Sequence, residues 1–195
     1  MSDSKVVFLE GKKTILRPYA ENTDLPLLTL WFNDPETRQY LGSFMLPLPE
    51  LLEKEQMRTR SSEKSPNDVF LVIQDRASGQ PIGTLGLHRI NWINRTATTG
   101  SCIGEPAFRG RGFGTDAKMA LLRYAFFSLN LRVISAAVIE FNERSAKALL
   151  KQGYCEVGRL PEWHFRDGKY WDERLFALTL KGFEQRWKVY QEATP

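Results

Sequence analysis

Apolar residues in this chain change their period several times, and each change marks an element. Thr14–Tyr19 (TILRPY) reads as a short strand closed by Pro18. Leu25, Leu28 and Trp31 fall on one face of a helix, and Asp24 stands before them as the expected N-cap. Pro49–Arg60 is a second helical pattern with Leu51, Leu52 and Met57 apolar, and the polar run from Arg58 to Asp68 reads as a loop. Segment 34–50 mixes apolar and turn residues in the manner of a mobile lid. Val69–Gln74 and Pro81–Arg89 form a hairpin through the turn ASGQP, and Thr96–Ile103 follows as another strand.

A glycine-rich loop, Arg109–Gly114, opens the second half and leads into a helix. Ala117, Ala120, Leu121, Tyr124 and Phe127 share one face of that helix. Val133–Ile139 is a strand rich in β-branched residues. Asn142 begins another helix, with Ala146, Leu149 and Leu150 inward and Gly153 as the stop. Tyr154–Leu160 and Arg174–Leu180 are the last strands, and Lys181–Gln191 is a terminal helix. Strands interleaved with helices predict a mixed α/β (α+β) fold, and the lack of a linker or repeat predicts one domain over residues 1–195.

Composition narrows the function. At 195 residues with 42% hydrophobic and 12% aromatic content, the chain can bury a sizeable core. Two cysteines, Cys102 and Cys155, make no disulfide framework and are expected to pack as small apolar groups. His88 and His164 lack zinc-ligand spacing, so no metal is expected. There is no GxSxG elbow. The N-terminus lacks a signal-like apolar run, and nothing approaches the ~18 apolar residues of a membrane span. A soluble cytoplasmic protein with no membrane partner is the expectation. Net charge is +4, and residues 109–132 carry all of that excess through Arg109, Arg111, Lys118, Arg123 and Arg132 against Asp116. Charge so localised suits one small anionic ligand better than nucleic acid.

The loop Arg109-Gly110-Arg111-Gly112-Phe113-Gly114 carries the sharpest chemistry. Its glycines allow a tight turn with exposed amides, and the helix behind it starts with unpaired N–H groups and a positive dipole end. That is a site for an anion such as pyrophosphate. A Walker loop is excluded because no Gly-Lys-Ser/Thr follows. Gly112-Phe113-Gly114-Thr115-Asp116-Ala117 fits the dinucleotide fingerprint, but that fingerprint belongs after a first strand, whereas several strands precede this one. Coenzyme A ranks above a dinucleotide, and an RGG-like nucleic-acid segment ranks lower because this loop is single and leads into a helix.

The run EPAFRGRGFGTDAKMALLRYAF, with Asn142-Glu143-Arg144-Ser145 and Lys151-Gln152-Gly153-Tyr154 downstream, resembles the GNAT superfamily of N-acetyltransferases. The opening TILRPY, the IGTLGL strand and the late DGKYWDE segment resemble its branch of ribosomal-protein N-terminal and spermidine acetyltransferases. The resemblance spans about residues 12–180. It implies a mixed, mostly antiparallel sheet flanked by helices, with a splayed parallel pair at Thr98–Gly104 and Val133–Ile139. It implies acetyl-CoA as cosubstrate, with the pyrophosphate on the amides of Arg111, Gly112, Phe113, Gly114 and Thr115 beside Arg109, and the pantetheine along Cys102, Ile103 and Gly104. A homodimer is also implied, since homodimers are frequent in that branch.

Catalytic roles transfer less evenly. The family's tyrosine acid falls on Leu149, and its frequent strand glutamate on Thr98 or Thr99. Ser145 matches a serine that assists the departing thiolate, and Glu105 is the remaining strand-end acid. Asn142 suits a helix cap and a coenzyme contact alike. Trp163, His164, Phe165, Tyr170 and Trp171, with Glu162, Asp167, Asp172 and Glu173, flank a hairpin turn at Arg166-Asp167-Gly168. They fit a cationic amine, and equally a packed hairpin or dimer contact. Trp31 and Phe32 match the acceptor wall. The expected activity is acetyl transfer to a primary amine by direct attack, at a protein or peptide N-terminus, a polyamine or an antibiotic. A catalytically silent CoA-binding regulatory module is the alternative that Leu149 and the missing glutamate motivate.

Overall fold

The structure, a computed structural model, describes residues 6–42, 47–49, 54 and 67–193. Two short strands, β1 (Leu9–Glu10) and β2 (Thr14–Pro18), start the chain, and helix α1 (Glu21–Asn33) follows. The helix begins at Glu21, so Ala20 rather than Asp24 is its N-cap. Asp24 instead lies buried within the first turn, where both carboxylate oxygens accept from Arg17 at 2.6 Å and one also accepts the Ala20 amide at 2.7 Å. A bidentate, charge-assisted pair outcompetes a single capping bond. Asp34 does cap the next turn, α2 (Pro35–Arg38), and its bonds from Thr37 hold its carboxyl below the usual range. The helix expected over residues 49–60 and the loop up to residue 68 lie outside the described residues apart from isolated positions, whereas of the expected lid, 34–50, only 43–46 and 50 do, and its first part is the ordered turn α2 with Leu48 bonded to Asn33.

The hairpin β3 (Val69–Asp75) and β4 (Pro81–Asn91) forms as expected, with Asp75 accepting from Ser78 to close the turn. Beyond them come β5 (Thr96–Ile103), α3 (Phe113–Arg123), β6 (Val133–Ile139) and α4 (Glu143–Lys151). The last elements are β7 (Cys155–Arg166), β8 (Lys169–Thr179) and α5 (Leu180–Glu192). One eight-stranded sheet holds every strand in the order β1-β2-β3-β4-β5-β6-β8-β7. It is antiparallel except for β5 and β6.

Both final strands run longer than expected and meet in a turn where Asp167 and Gly168 have φ of 50° and 77°. Pro161, just past the expected strand end at Leu160, sits in a bulge between Leu160 and His164, with Glu162 at φ 52°. As β7 is the sheet edge, Cys155 is exposed rather than packed. Two further inward expectations reverse. Residues 124–128 form a π turn, with the Leu129 amide bonded to the Tyr124 carbonyl; Phe126 stacks on Phe183 and Phe127 turns outward. Leu150 is exposed while Leu149 and Ala146 carry the buried face of α4. Gly153, at φ 96°, ends that helix as expected.

Helices cover both sheet faces. Ala117, Leu121 and Leu122 of α3 pack with Leu16, Leu85, Ile134, Phe176 and Phe183 in the main core. On the other face Leu28, Trp31 and Phe32 of α1 meet Phe70 and Cys102. A buried carboxylate pins α3 in place. Asp116 accepts the amides of Lys12, Lys13 and Thr14, the Thr14 hydroxyl and the Tyr190 hydroxyl, at 2.6–3.0 Å. Gly11 is a glycine because a Cβ there would lie 2.2 Å from that carboxylate. Among the described residues no helix is long and apolar enough to cross a membrane.

Removing the Asp116 carboxylate strands several buried donors at once. Asp116→Ala should therefore lose about 3 kcal/mol or more of stability, read by urea unfolding. A loss below about 0.5 kcal/mol would show that the junction tolerates its absence.

Candidate functional site

The site begins where β5 and β6 stop pairing. They share only three register pairs, Thr96 with Val133, Ala97 with Ile134 and Thr98 with Ser135. From Thr99 to Ile103, β5 continues beside β4 alone, while β6 stays with β8 to Ile139. A gap opens between the parallel strands, and Gly100, Ser101 and Ala137 are exposed along it. The Thr98 and Ser135 hydroxyls lie 3.0 Å apart at its closed end.

The glycine-rich loop stands at the end of β5. Gly110 and Gly112 have φ of 73° and 89°, the left-handed region that favours glycine, and a Cβ on either would meet nothing within 4 Å. Gly112 is the N-cap of α3 and offers no side-chain cap. The first-turn amides of Phe113, Gly114 and Thr115 therefore point at open space with the positive helix end behind them. Phe113 is buried against Phe108 at 5.1 Å, and Gly114 approaches Ile103 closely enough to seat the helix on the strand end.

The two loop arginines differ. Arg109 turns inward: its guanidinium donates to the Ile103 and Gly104 carbonyls and to the Thr37 hydroxyl, and lies 3.0 Å from Glu36 and 3.6 Å from Asp34. It locks α2 to the end of β5. Arg111 is exposed, donates to the Ala107 carbonyl and covers the Phe108 and Phe113 rings. Arg123 lies over Trp187, and Arg132 immediately precedes β6. The charge that the sequence concentrates in this segment is thus distributed around the helix, with Arg111 the exposed cation of the loop itself.

Gly104 is buried under Trp31, whose ring would come within 2.1 Å of a Cβ. The Trp31 indole N–H donates to Glu105 Oε1 at 2.9 Å, so one carboxylate oxygen is fixed and Oε2 has no bond among the described residues. Cys102 packs against the Trp31 cluster, and burial pushes its thiol up to about 11. Across the gap, Asn142 caps α4 by accepting the Ser145 amide at 3.1 Å. The Ser145 hydroxyl makes no hydrogen bond among the described residues.

The far wall comes from the inner face of the terminal hairpin. His164 is buried and bonded to Glu173 at 3.1 Å, and Glu173 sits opposite Ile139, the last residue of β6. Trp171 packs on Phe141 at 5.0 Å, Phe141 meets Tyr40, and Arg144 covers Tyr40. Trp163, Phe165 and Tyr170 face outward instead. The hairpin aromatics therefore divide, with His164 turned in against Glu173 and Trp171 against Phe141. Tyr40 and Phe141 escaped the sequence reading because each lies in a segment without period. Among the described residues no three His, Cys, Asp or Glu side chains converge as a metal site.

Lys118, read in the sequence only as part of the basic segment, is a buried amine beside β5. Its Nζ donates to Thr99 Oγ1 at 2.7 Å, which donates on to the Gly86 carbonyl at 2.8 Å. The lysine is 2% exposed, and burial pulls its amine down to about 7.

Comparison with known proteins sets this geometry in context. The family model described as an acetyltransferase (GNAT) domain matches residues 13–154. An uncharacterized N-acetyltransferase, p20 of Bacillus licheniformis, is 28% identical over 84% of this chain and 91% of its own. Spermidine N(1)-acetyltransferase of Vibrio cholerae is 28% identical over 82% of this chain and 84% of its own. A crystal structure of the Vibrio cholerae spermidine N-acetyltransferase in complex with CoA and spermine shares the fold, with TM-score 0.80 and 24% identity, covering 88% of this chain and 98% of that one.

The lysine yields a stability prediction. Its amine titrates lower in the folded protein than the ordinary 10.5, so protonation favours unfolding. The cost is complete below about pH 7 and fades as pH rises to 10.5. Lys118→Met should be more stable than wild type at pH 7, by an amount on the order of a few kcal/mol, and the gap should close towards pH 10. Urea unfolding across that range tests it; a pH-independent gap would contradict it.

Proposed function

The chain belongs to the GNAT acetyltransferase family and is an N-acetyltransferase, and on that premise we propose that it transfers acetyl from acetyl-CoA directly to a primary amine at the N-terminus of a protein or peptide. The observation that carries this reading is the uncapped start of α3 beside the β5–β6 gap. The amides of Arg111 to Thr115 suit a pyrophosphate in charge and in open space, since neither Gly110 nor Gly112 has a neighbour where a Cβ would stand. Cys102, Ile103 and Gly104 would edge the pantetheine, with Arg109 holding the Ile103 and Gly104 carbonyls in place.

Direct attack is supported by Cys102, whose raised thiol is a poor nucleophile for an acyl-cysteine route. An α-amine, with pKa near 7.7–8.0, needs little help to become nucleophilic. Glu105 Oε2 is the group that would take its proton, with Trp31 fixing the carboxylate from the other side. Ser145, at the start of α4, would steady the departing thiolate, and Asn142 would set its position by capping that turn. Alignment in the gap would supply much of the acceleration.

A polyamine acceptor is the second reading. Glu105 stands just beyond the end of β5 and Glu173 lies on β8 opposite the last residue of β6, with Trp31 bonded to the first and Trp171 two residues from the second, a combination that suits a cation. The Vibrio cholerae relative supports the same class by its name. A silent CoA-binding module remains the reading that Leu149, buried in the core, would favour.

Thiol release from acetyl-CoA, measured with a panel of N-terminal peptides and polyamines, separates these readings. Turnover with peptides is expected; turnover with spermidine alone would favour the second, and CoA binding without turnover the third. Gly112→Glu, which puts bulk and negative charge in the nest, should abolish CoA binding, and unchanged affinity would refute the loop assignment. Ser145→Ala should lower kcat by about tenfold or more while leaving CoA affinity close to wild type; an unchanged kcat removes Ser145 from the chemistry.

A further inference from the structure

Lys118 lies one helical turn behind the loop amides. From Gly114 to Lys118 the helix rises only about 6 Å, and side chains in a helix lean back toward its N-terminus. The lysine is buried inside the main core face of α3, against β5. Its one hydrogen bond among the described residues goes to Thr99, the first β5 residue past the last pair with β6. An ammonium has three donors, so two would lie unmatched in that setting. A neutral amine suits the place better, and burial, with no compensating charge, pulls the group in that direction.

The neighbouring charges are engaged elsewhere. Asp116, on the same helix, is taken by β2 and Tyr190, and Lys12 by the chain end around Tyr190. Arg123 is at the far end of α3 over Trp187, and Tyr124 is just beyond it, against Phe8. On β4, His88 is opposite Thr98 and pairs with Asp68 on the other sheet face, and Arg89 reaches Thr98. On β2, Arg17 is paired with Asp24. Among the described residues, the interior around Lys118 therefore holds a latent positive charge with no anion paired to it.

We propose that Lys118 is a coenzyme-binding residue that works from inside the core: its neutral amine takes up a proton when the pyrophosphate docks on the amides above it. This rests on the coenzyme reading of the loop given above. An anion at the helix start favours the ammonium form across the low-dielectric interior, and the ammonium in turn strengthens anion binding. Proton and coenzyme then bind with positive coupling, and each must raise the affinity for the other equally. Exposed Arg111 would attract the coenzyme from solvent, and Lys118 would hold it.

Titration calorimetry of the full chain with acetyl-CoA, without acceptor, at pH 8 in buffers of different ionisation enthalpy, tests the coupling. Wild type should take up more than about half a proton per coenzyme bound. Lys118→Met should lose that uptake and bind acetyl-CoA about tenfold or more weakly at pH 7. Equal proton uptake in the two proteins would overturn the proposal. A second measurement needs no variant: wild-type Kd should rise between pH 7.5 and 9.5, towards tenfold per pH unit, and a flat profile would overturn it as well. Failure of wild type to bind acetyl-CoA at any pH would instead refute the coenzyme reading, and this inference with it.

Discussion

Two parallel strands that cease pairing after three residues are the constraint on which the rest of this structure depends. Backbone groups along a strand must find partners or face solvent. By letting β5 follow β4 to Ile103 while β6 follows β8 to Ile139, the fold leaves an open edge in the middle of its sheet. Such an edge is a liability on a sheet margin and a resource between two covered faces. The candidate site groups among the described residues belong to elements round it: the glycine turn after β5, Trp31 with Glu105, Ser145 at the start of α4, and the His164–Glu173 pair.

Rigid polar junctions flank that gap, and two side chains make them in different ways. Asp116 ties α3 to the amides before β2 and to Tyr190 of α5. Arg109 bridges the end of β5 to α2, neutralised by Asp34 and Glu36. Both satisfy most of their hydrogen-bonding capacity. Lys118 does not, and its pull below the ordinary lysine range follows from that deficit. A buried group left incomplete in an otherwise satisfied framework is where ligand chemistry has room to act.

The aromatic stack near the gap joins segments distant in sequence. Tyr40 and Phe141, a hundred residues apart in the chain, meet at 5.8 Å, and Trp171 completes the stack. The terminal hairpin contributes because Pro161 is absorbed in a bulge, letting β7 run on to the turn with His164 facing inward. Its outer face keeps Trp163, Phe165 and Tyr170 in solvent. One hairpin thus presents two different chemistries on its two sides, as alternation along a strand dictates.

Local pattern determined much of the backbone, though not the length of the final hairpin or the π turn at 124–128. Thr96–Ile103 and Val133–Ile139 were legible to the residue, because β-branched runs bounded by turns leave little choice of period. The glycine turn and the Asn142 and Gly153 helix boundaries were legible for the same reason: each follows from the chemistry of one residue and its immediate neighbours. Side-chain allegiance was decided by tertiary structure. Asp24 left its cap for Arg17, Phe127 turned outward through a π turn, and Arg109 faced α2 rather than the loop. Lys118, one polar letter in an apolar helix face, became a buried amine only when β5 was laid across it. Charge and burial depend on what the rest of the chain brings within a few ångströms, and a one-dimensional pattern carries no such distance.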